Sequence, residues 1–207
     1  MSKNRLESFS DGVIAVAITL LALNLPLPGD AAATPALAHY LGRHWPSFVA
    51  YVISFLTIGI VWINHHAMLR RIVAVETSVL LLNLMLLMTI CALPFTTALM
   101  ADYLRASHGE NLAAAIWCGT FLLMTAVFLA VQAHILSKEH LLDERLTPEV
   151  RQTIMRRNSL GLAPYLLGTA VAALTPYLTL AICGAVAVFY ALPGTTELGP
   201  GTDAADA

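Results

Sequence analysis

From Leu160 to Leu192 the chain carries no charged side chain at all. Four further apolar runs precede it, beginning near Leu6, Phe48, Val79 and Leu112. Backbone polar groups in hydrocarbon must be satisfied within the segment itself, so about 20 consecutive apolar residues read as a membrane-crossing helix. Composition agrees: 58% of the 207 residues are apolar and 12% are charged, against about 25% charged in soluble domains. Such a chain lacks the polar surface to stay in water. The expected class is an all-α, polytopic membrane protein with no soluble domain.

Six transmembrane helices are expected, at about 6–25, 48–66, 79–100, 112–136, 160–174 and 176–192. Pro26 and Pro28 stop the first, because proline cannot continue a helix. The last apolar run is too long for one crossing at about 1.5 Å per residue. Pro176 in "LTPY" can begin a new helix but disrupts an old one, so the run divides there. "DAAATPALAHYLGRHWP" forms an outer loop with room for a short interfacial helix. Pro94 and Pro164 are expected to kink spans three and five. One six-helix domain thus covers residues 1–193, and the polar, Gly-rich residues 194–207 read as a disordered cytoplasmic tail. The first apolar run is too long for a cleavable signal peptide. Cys91, Cys118 and Cys183 lie inside apolar runs without metal or disulfide spacing, and read as packing residues.

Orientation follows from where Lys and Arg sit. With the N-terminus inside, the inner segments hold Lys3, Arg5, Arg70, Arg71, Lys138, Arg145, Arg151, Arg156 and Arg157, and the outer loops hold only Arg43 and Arg105. Both termini should face the cytoplasm, in a cell membrane. The arginine series from Arg145 to Arg157 reads as an anchor near anionic lipid.

The first span is unusual in opening with Arg5, Glu7, Ser8, Ser10 and Asp11. At about 100° per residue, Phe9, Gly12, Thr19, Leu20 and Leu23 fall within roughly 60° of Val16, forming one apolar stripe. Asp11 lies about 140° from Val16, on a face with Ser8, Ala15, Ile18 and Ala22 whose small residues permit close helix packing. A carboxylate at that depth needs a partner in the protein. Either Ser10 and Asp11 cap the helix start in headgroup water, or they lock the helix to its neighbours. In the second case the partners lie in "WINHHAMLRR", where Trp62, Asn64, His65, His66, Arg70 and Arg71 reach the same membrane face.

The pattern R-x-x-x-F-S-D, here Arg5, Phe9, Ser10 and Asp11, resembles the signature of the transmembrane protein 175 family of potassium-permeable channels. The continuation "FSDGVIAVAITLL", the later "WINHH" and the six-span, N-inside layout fit the same family. The resemblance implies a homotetramer, as in bacterial members with one six-span copy per chain, and a pore lined by span one. It implies potassium as permeant ion and a constriction made of apolar side chains. By position after the signature Asp, the constriction residues would be Val16, Leu20 and Leu23, and Thr19 would face the pore. Relatives often carry isoleucine or leucine where this chain has Val16, so which ring is narrowest stays open.

No "TVGYG"-like segment supports selectivity by backbone carbonyls, so an apolar gate and a modest preference for potassium over sodium are expected. A proton-conducting channel is the near alternative. A transporter would show broken helices in matching halves, and no G-x-S-x-G or H-E-x-x-H motif supports an enzyme. His65 and His66 point about 100° apart on a helix and cannot easily share a metal. No cofactor, metal or nucleic-acid partner is expected; the partners are the bilayer, monovalent cations and copies of the same chain.

Overall fold

The computed structural model describes residues 2–27, 37–106, 108–143 and 146–192. Expectations for Pro28, for residues 30–36 of the outer loop, for Arg145 and for the 194–207 tail lie outside the described residues. Among these residues the chain forms eight α-helices and a 3-10 turn at Glu139–Leu141. The helices are α1 (Lys3–Leu23), α2 (Leu37–Arg43), α3 (Trp45–Arg70), α4 (Thr77–Ala106), α5 (Glu110–Leu136), α6 (Pro148–Ser159), α7 (Leu162–Val171) and α8 (Pro176–Ala191).

Helices α1, α3, α4 and α5 are each long and apolar enough to cross a membrane, and they coincide with the first four expected spans. The fifth and sixth fall on α7 and α8, with 10 and 16 residues. At 1.5 Å per residue these extend about 15 Å and 24 Å, short of about 30 Å of hydrocarbon. The break between them lies at the expected place: Thr175 is extended at φ −158° and ψ 131°, and Pro176 opens α8. Pro164 sits in the first turn of α7, where an amide proton has no intrahelical acceptor and proline is tolerated without a kink. Pro94 lies inside α4.

Two helices lie outside the six expected spans. The short α2 occupies the loop between α1 and α3. Helix α6 occupies the charged stretch between the fourth and fifth expected spans: Thr147 is extended, and Pro148 supplies the first helical residue. Glu149 follows, its carboxyl held below the usual carboxylate range chiefly by a backbone hydrogen bond at the helix start.

Helix α4 is central, packing on α5, α1 and α3. The indole of Trp117 is fully buried and stands edge-on to Phe121 at 4.9 Å between ring centroids. Its Nε1 donates to Ser54 Oγ at 3.1 Å, and Ser54 shares a 2.8 Å hydrogen bond with the Thr97 hydroxyl. Thus α5, α3 and α4 meet at one buried polar node whose members satisfy each other. One residue further along α5, Cys118 Sγ lies 3.5 Å from Cys183 Sγ. A Cβ on Gly168 would come within 2.8 Å of the Cys118 sulfur, so only glycine lets α7 approach this closely. Cys91, by contrast, is exposed on α4.

At the end where α3 stops, the α3–α4 connection is tied to the residues after α5. Leu141 and Arg71 carbonyls accept from Val73 and Asp143 amides at 2.8 and 3.1 Å. Glu76 pairs with His140 at 2.5 Å, and that hydrogen bond holds the Glu76 carboxyl below its usual range.

Trp117→Ala should cost about 3–5 kcal/mol, the range for a large buried aromatic. Trp117→Phe should cost less, since a phenyl ring keeps most of the buried packing and both variants lose the indole donor to Ser54 alike. Thermal unfolding in detergent, followed by monodispersity, checks both; equal loss in the two variants would contradict the packing role of the ring.

Candidate functional site

Helix α1 begins at Lys3, so Ser10 and Asp11 lie about two turns inside the helix and do not cap it. The side chains that seat α1 in the protomer are Leu6, Ser10, Ile14, Ala17 and Leu21, all buried. Their steps of four and three trace one helix face. This is not the small-residue face expected from sequence: Ser8, Ala15 and Ala22 are exposed. The gap between α3 and α4 is filled by the larger Leu6, Ile14 and Leu21 side chains instead.

The contacts of the N-terminal half of α1 form an antiparallel ladder with α3. Lys3 Nζ donates to the Arg70 carbonyl at 3.3 Å. Glu7 Oε1 lies 2.8 Å from His66 Nδ1, an ion-pair contact when the ring is protonated. Trp62 Nε1 donates to Asp11 Oδ1 at 2.8 Å. Positions 3, 7 and 11 rise by four along α1, while 70, 66 and 62 fall by four along α3. Residues four apart share a helix face, so the rungs stack in one line.

Beside the ladder runs a fully buried chain. Ser10 Oγ donates to the Leu6 carbonyl at 2.9 Å and accepts from Asn83 Nδ2 at 3.0 Å. Asn83 Oδ1 in turn lies 2.7 Å from His65 Nε2. An amide oxygen can only accept, so this pairing places a proton on His65 Nε2. Helices α1, α4 and α3 are thereby joined through three side chains.

Of the signature and network residues named from sequence, Ser10, Asp11, Trp62, His65 and His66 are brought together. Arg5 and Phe9 are exposed, and Arg5 forms no ion pair among the described residues. Asn64 turns elsewhere: its Nδ2 donates to the Ile60 carbonyl at 2.9 Å. Three partners went unnamed, Lys3, Glu7 and Asn83. Asn83 carried a readable signal, since a lone amide within "VLLLNLMLLM" must find a hydrogen-bonding partner.

The opposite side of α1 is bare in the protomer. Val16 is 57% exposed, Leu20 43% and Leu23 79%, and Thr19 is exposed with them. The Thr19 hydroxyl donates to the Val16 carbonyl at 2.8 Å, which leaves its oxygen free to accept or to face a cation. An open groove of about 430 Å³ runs beside this stripe, lined by Phe9, Gly12, Val16 and Leu20 with Cys91 of α4. Just past the C-terminal end of α1, Asn24 Nδ2 donates to the Pro94 carbonyl at 3.1 Å. Among the described residues no group of three or more His, Cys, Asp or Glu is placed to hold a metal.

Residues 5–94, which contain most of this network and the whole exposed stripe, match the family described as endosomal/lysosomal potassium channel TMEM175. A Streptomyces collinus protein named a potassium channel is 40% identical over 186 residues, covering 90% of each chain. The chain belongs to the TMEM175 family. This is a family of ion channels, not of enzymes. The fold is similar to the crystal structure of a lysosomal potassium-selective channel TMEM175 homologue from Chamaesiphon minutus, with a TM-score of 0.81 and 32% identity. That likeness covers 91% of this chain and 96% of the other. The Gallus gallus endosomal/lysosomal proton channel TMEM175 is 34% identical over 125 residues, which cover 57% of this chain and 25% of that one.

Asp11→Ala should destabilise the protein by about 0.5–1.5 kcal/mol through loss of the Trp62 hydrogen bond, while Asp11→Asn, which keeps an acceptor, should cost less. Thermal stability in detergent and ion preference in liposomes are the readouts. An Asp11→Ala protein with parental stability and altered ion preference would make Asp11 an ion site instead of an anchor.

Proposed function

We propose that the protein is a potassium-permeable cation channel of a cell membrane, a homotetramer with α1 of each subunit lining the pore. What supports this most is the near-full-length likeness to a potassium-selective homologue. The bare stripe of α1 supports it too. A helix fastened along one face and free along the other can line a central path, and the groove beside Phe9 and Cys91 offers a seat for a neighbouring copy. Both termini are cytoplasmic in this reading, and α7 and α8 form the fifth and sixth crossings of the six-span layout.

Ion passage then follows from the chemistry of the stripe. Rings of Val16, Leu20 and Leu23 offer an ion no replacement for its hydration water, so they gate by dewetting and conduct only when wide and wet. Four Thr19 oxygens between those rings replace part of the lost hydration. With no cage of carbonyls, the preference for potassium over sodium is modest. Ser10, Asp11 and their partners act at one remove, holding the cytoplasmic half of α1 so that it moves as a unit.

A proton-conducting channel is the second reading, favoured by the likeness to the chicken protein. Reversal potentials in opposed potassium and pH gradients separate the two.

Purified protein in liposomes should pass potassium, and Leu20→Ser or Leu23→Ser should raise that flux severalfold. Variants that conduct like the parent would contradict the apolar gate; a parent without potassium flux would contradict the channel.

A further inference from the structure

Two uncovered stripes flank α1. On α3, Phe55 and Trp62 are exposed, and between them a Cβ on Gly59 would meet nothing within 4 Å. On α4, Met88, Cys91 and Phe95 are exposed in line. The α3 stripe adjoins Asp11, which Trp62 holds. The α4 stripe borders the groove that Cys91 shares with Leu20. At about 100° per residue, Asp11 and Leu20 point to opposite sides of α1. One stripe therefore lies on each flank of that helix.

Two buried hydrogen bonds fix which levels of α3 and α4 match. His65 meets Asn83, and Ser54 meets Thr97 further along both helices. Interpolation between these two points puts Trp62 at the depth of Met88, Gly59 at that of Cys91 and Phe55 at that of Phe95, each to within about one residue. The stripes also step alike. Positions 62, 59 and 55 fall by three and then four, while 88, 91 and 95 rise by three and then four.

Rotation about an axis along the bilayer normal leaves depth unchanged. In a ring with α1 facing the axis, one flank of each copy meets the opposite flank of the next. Levels matched within one chain are then matched across the junction. Lipid is a poor cover for this seam, because Asp11 is only half-buried and a carboxylate turned toward hydrocarbon is costly.

Given the ring of four with α1 innermost put forward under Proposed function, we propose that the α3 stripe of one copy seats on the α4 stripe of the next. Trp62 lies against Met88, Gly59 against Cys91 and Phe55 against Phe95. The contact is head to tail, so it closes a ring instead of pairing two copies. Small residues at the middle rung let the helices approach closely. At one end the Met88 thioether meets the Trp62 ring, and at the other two phenyl rings meet.

Cysteine cross-linking tests the register. Gly59→Cys places a thiol opposite native Cys91, and a disulfide needs Cα atoms about 4.4–6.8 Å apart. The full-length variant in liposomes is oxidised with copper phenanthroline in air and run on denaturing gels without reductant. Bands of two, three and four chains that dithiothreitol collapses are expected, since each chain bridges both neighbours. The parent, and Gly59→Cys combined with Cys91→Ser, should run as single chains. Phe55→Cys with Phe95→Cys, in a Cys91→Ser background, should give the same ladder. Phe55→Cys beside native Cys91, about 6 Å out of register, should not.

Native mass spectrometry of the parent reads the oligomer separately. A tetramer in which neither matched pair cross-links would overturn this contact and leave the channel reading in place. Bands that stop at two chains, or a disulfide closed within one chain, would overturn it as well. A parent that forms no tetramer would overturn both.

Discussion

A polar side chain placed in hydrocarbon must find its partner within the protein, and in this chain that requirement is met at one place above all. Ser10, Asn83 and His65 close a buried chain across α1, α4 and α3. Alongside it, rungs at 3–70, 7–66 and 11–62 run down the N-terminal half of α1. Their stepping by four in opposite directions demands that α1 and α3 be antiparallel with their faces in register. A slip of one residue would rotate every rung by about 100° and strand Ser10 or Asp11 without a partner. The cost of leaving such groups unpaired is what selects this arrangement over other packings of equally apolar helices.

Fastening along one face frees the other. In its most apolar window α1 is 28% buried, against 50% for α4, and its exposed side is a continuous stripe. Exposure of apolar residues is ordinary for a helix facing lipid. What distinguishes α1 is the pairing of that stripe with Gly12, a threonine hydroxyl and a groove reaching α4. An anchored back and a free front suit the proposed pore-lining role, in which ions would meet apolar side chains and the Thr19 hydroxyl while the protein holds the helix from behind.

Much of this could be read from the sequence, and the rest failed for identifiable reasons. Hydropathy gave α1, α3, α4 and α5, because a bilayer fixes both length and composition of a crossing helix. The wheel on α1 grouped Val16, Thr19, Leu20 and Leu23, and all four are exposed together in the protomer. It could not say which remaining face packs inward: the small residues near Asp11 suggested one side, and Leu6, Ile14 and Leu21 took another. Asn83 was passed over because apolar neighbours dominated its window, although its amide was the one group there that needed a partner. Asn64 looked equivalent to Trp62 and His65 in the string, yet its helical phase turns it toward Phe128 and Tyr190. Helix α6 escaped notice because a search for long apolar runs is blind to a polar helix of 12 residues.

The most direct measurement is cysteine accessibility along α1, in a background where Cys91 is replaced by serine. Single cysteines at positions 15 to 23 are treated with a cationic, water-soluble thiol reagent during potassium flux. Block confined to positions 16, 19, 20 and 23, with positions 15, 18 and 22 insensitive, is the result expected if this stripe walls the ion path. Block centred on 15, 18 and 22, or flux unaffected at every position, would place the path elsewhere.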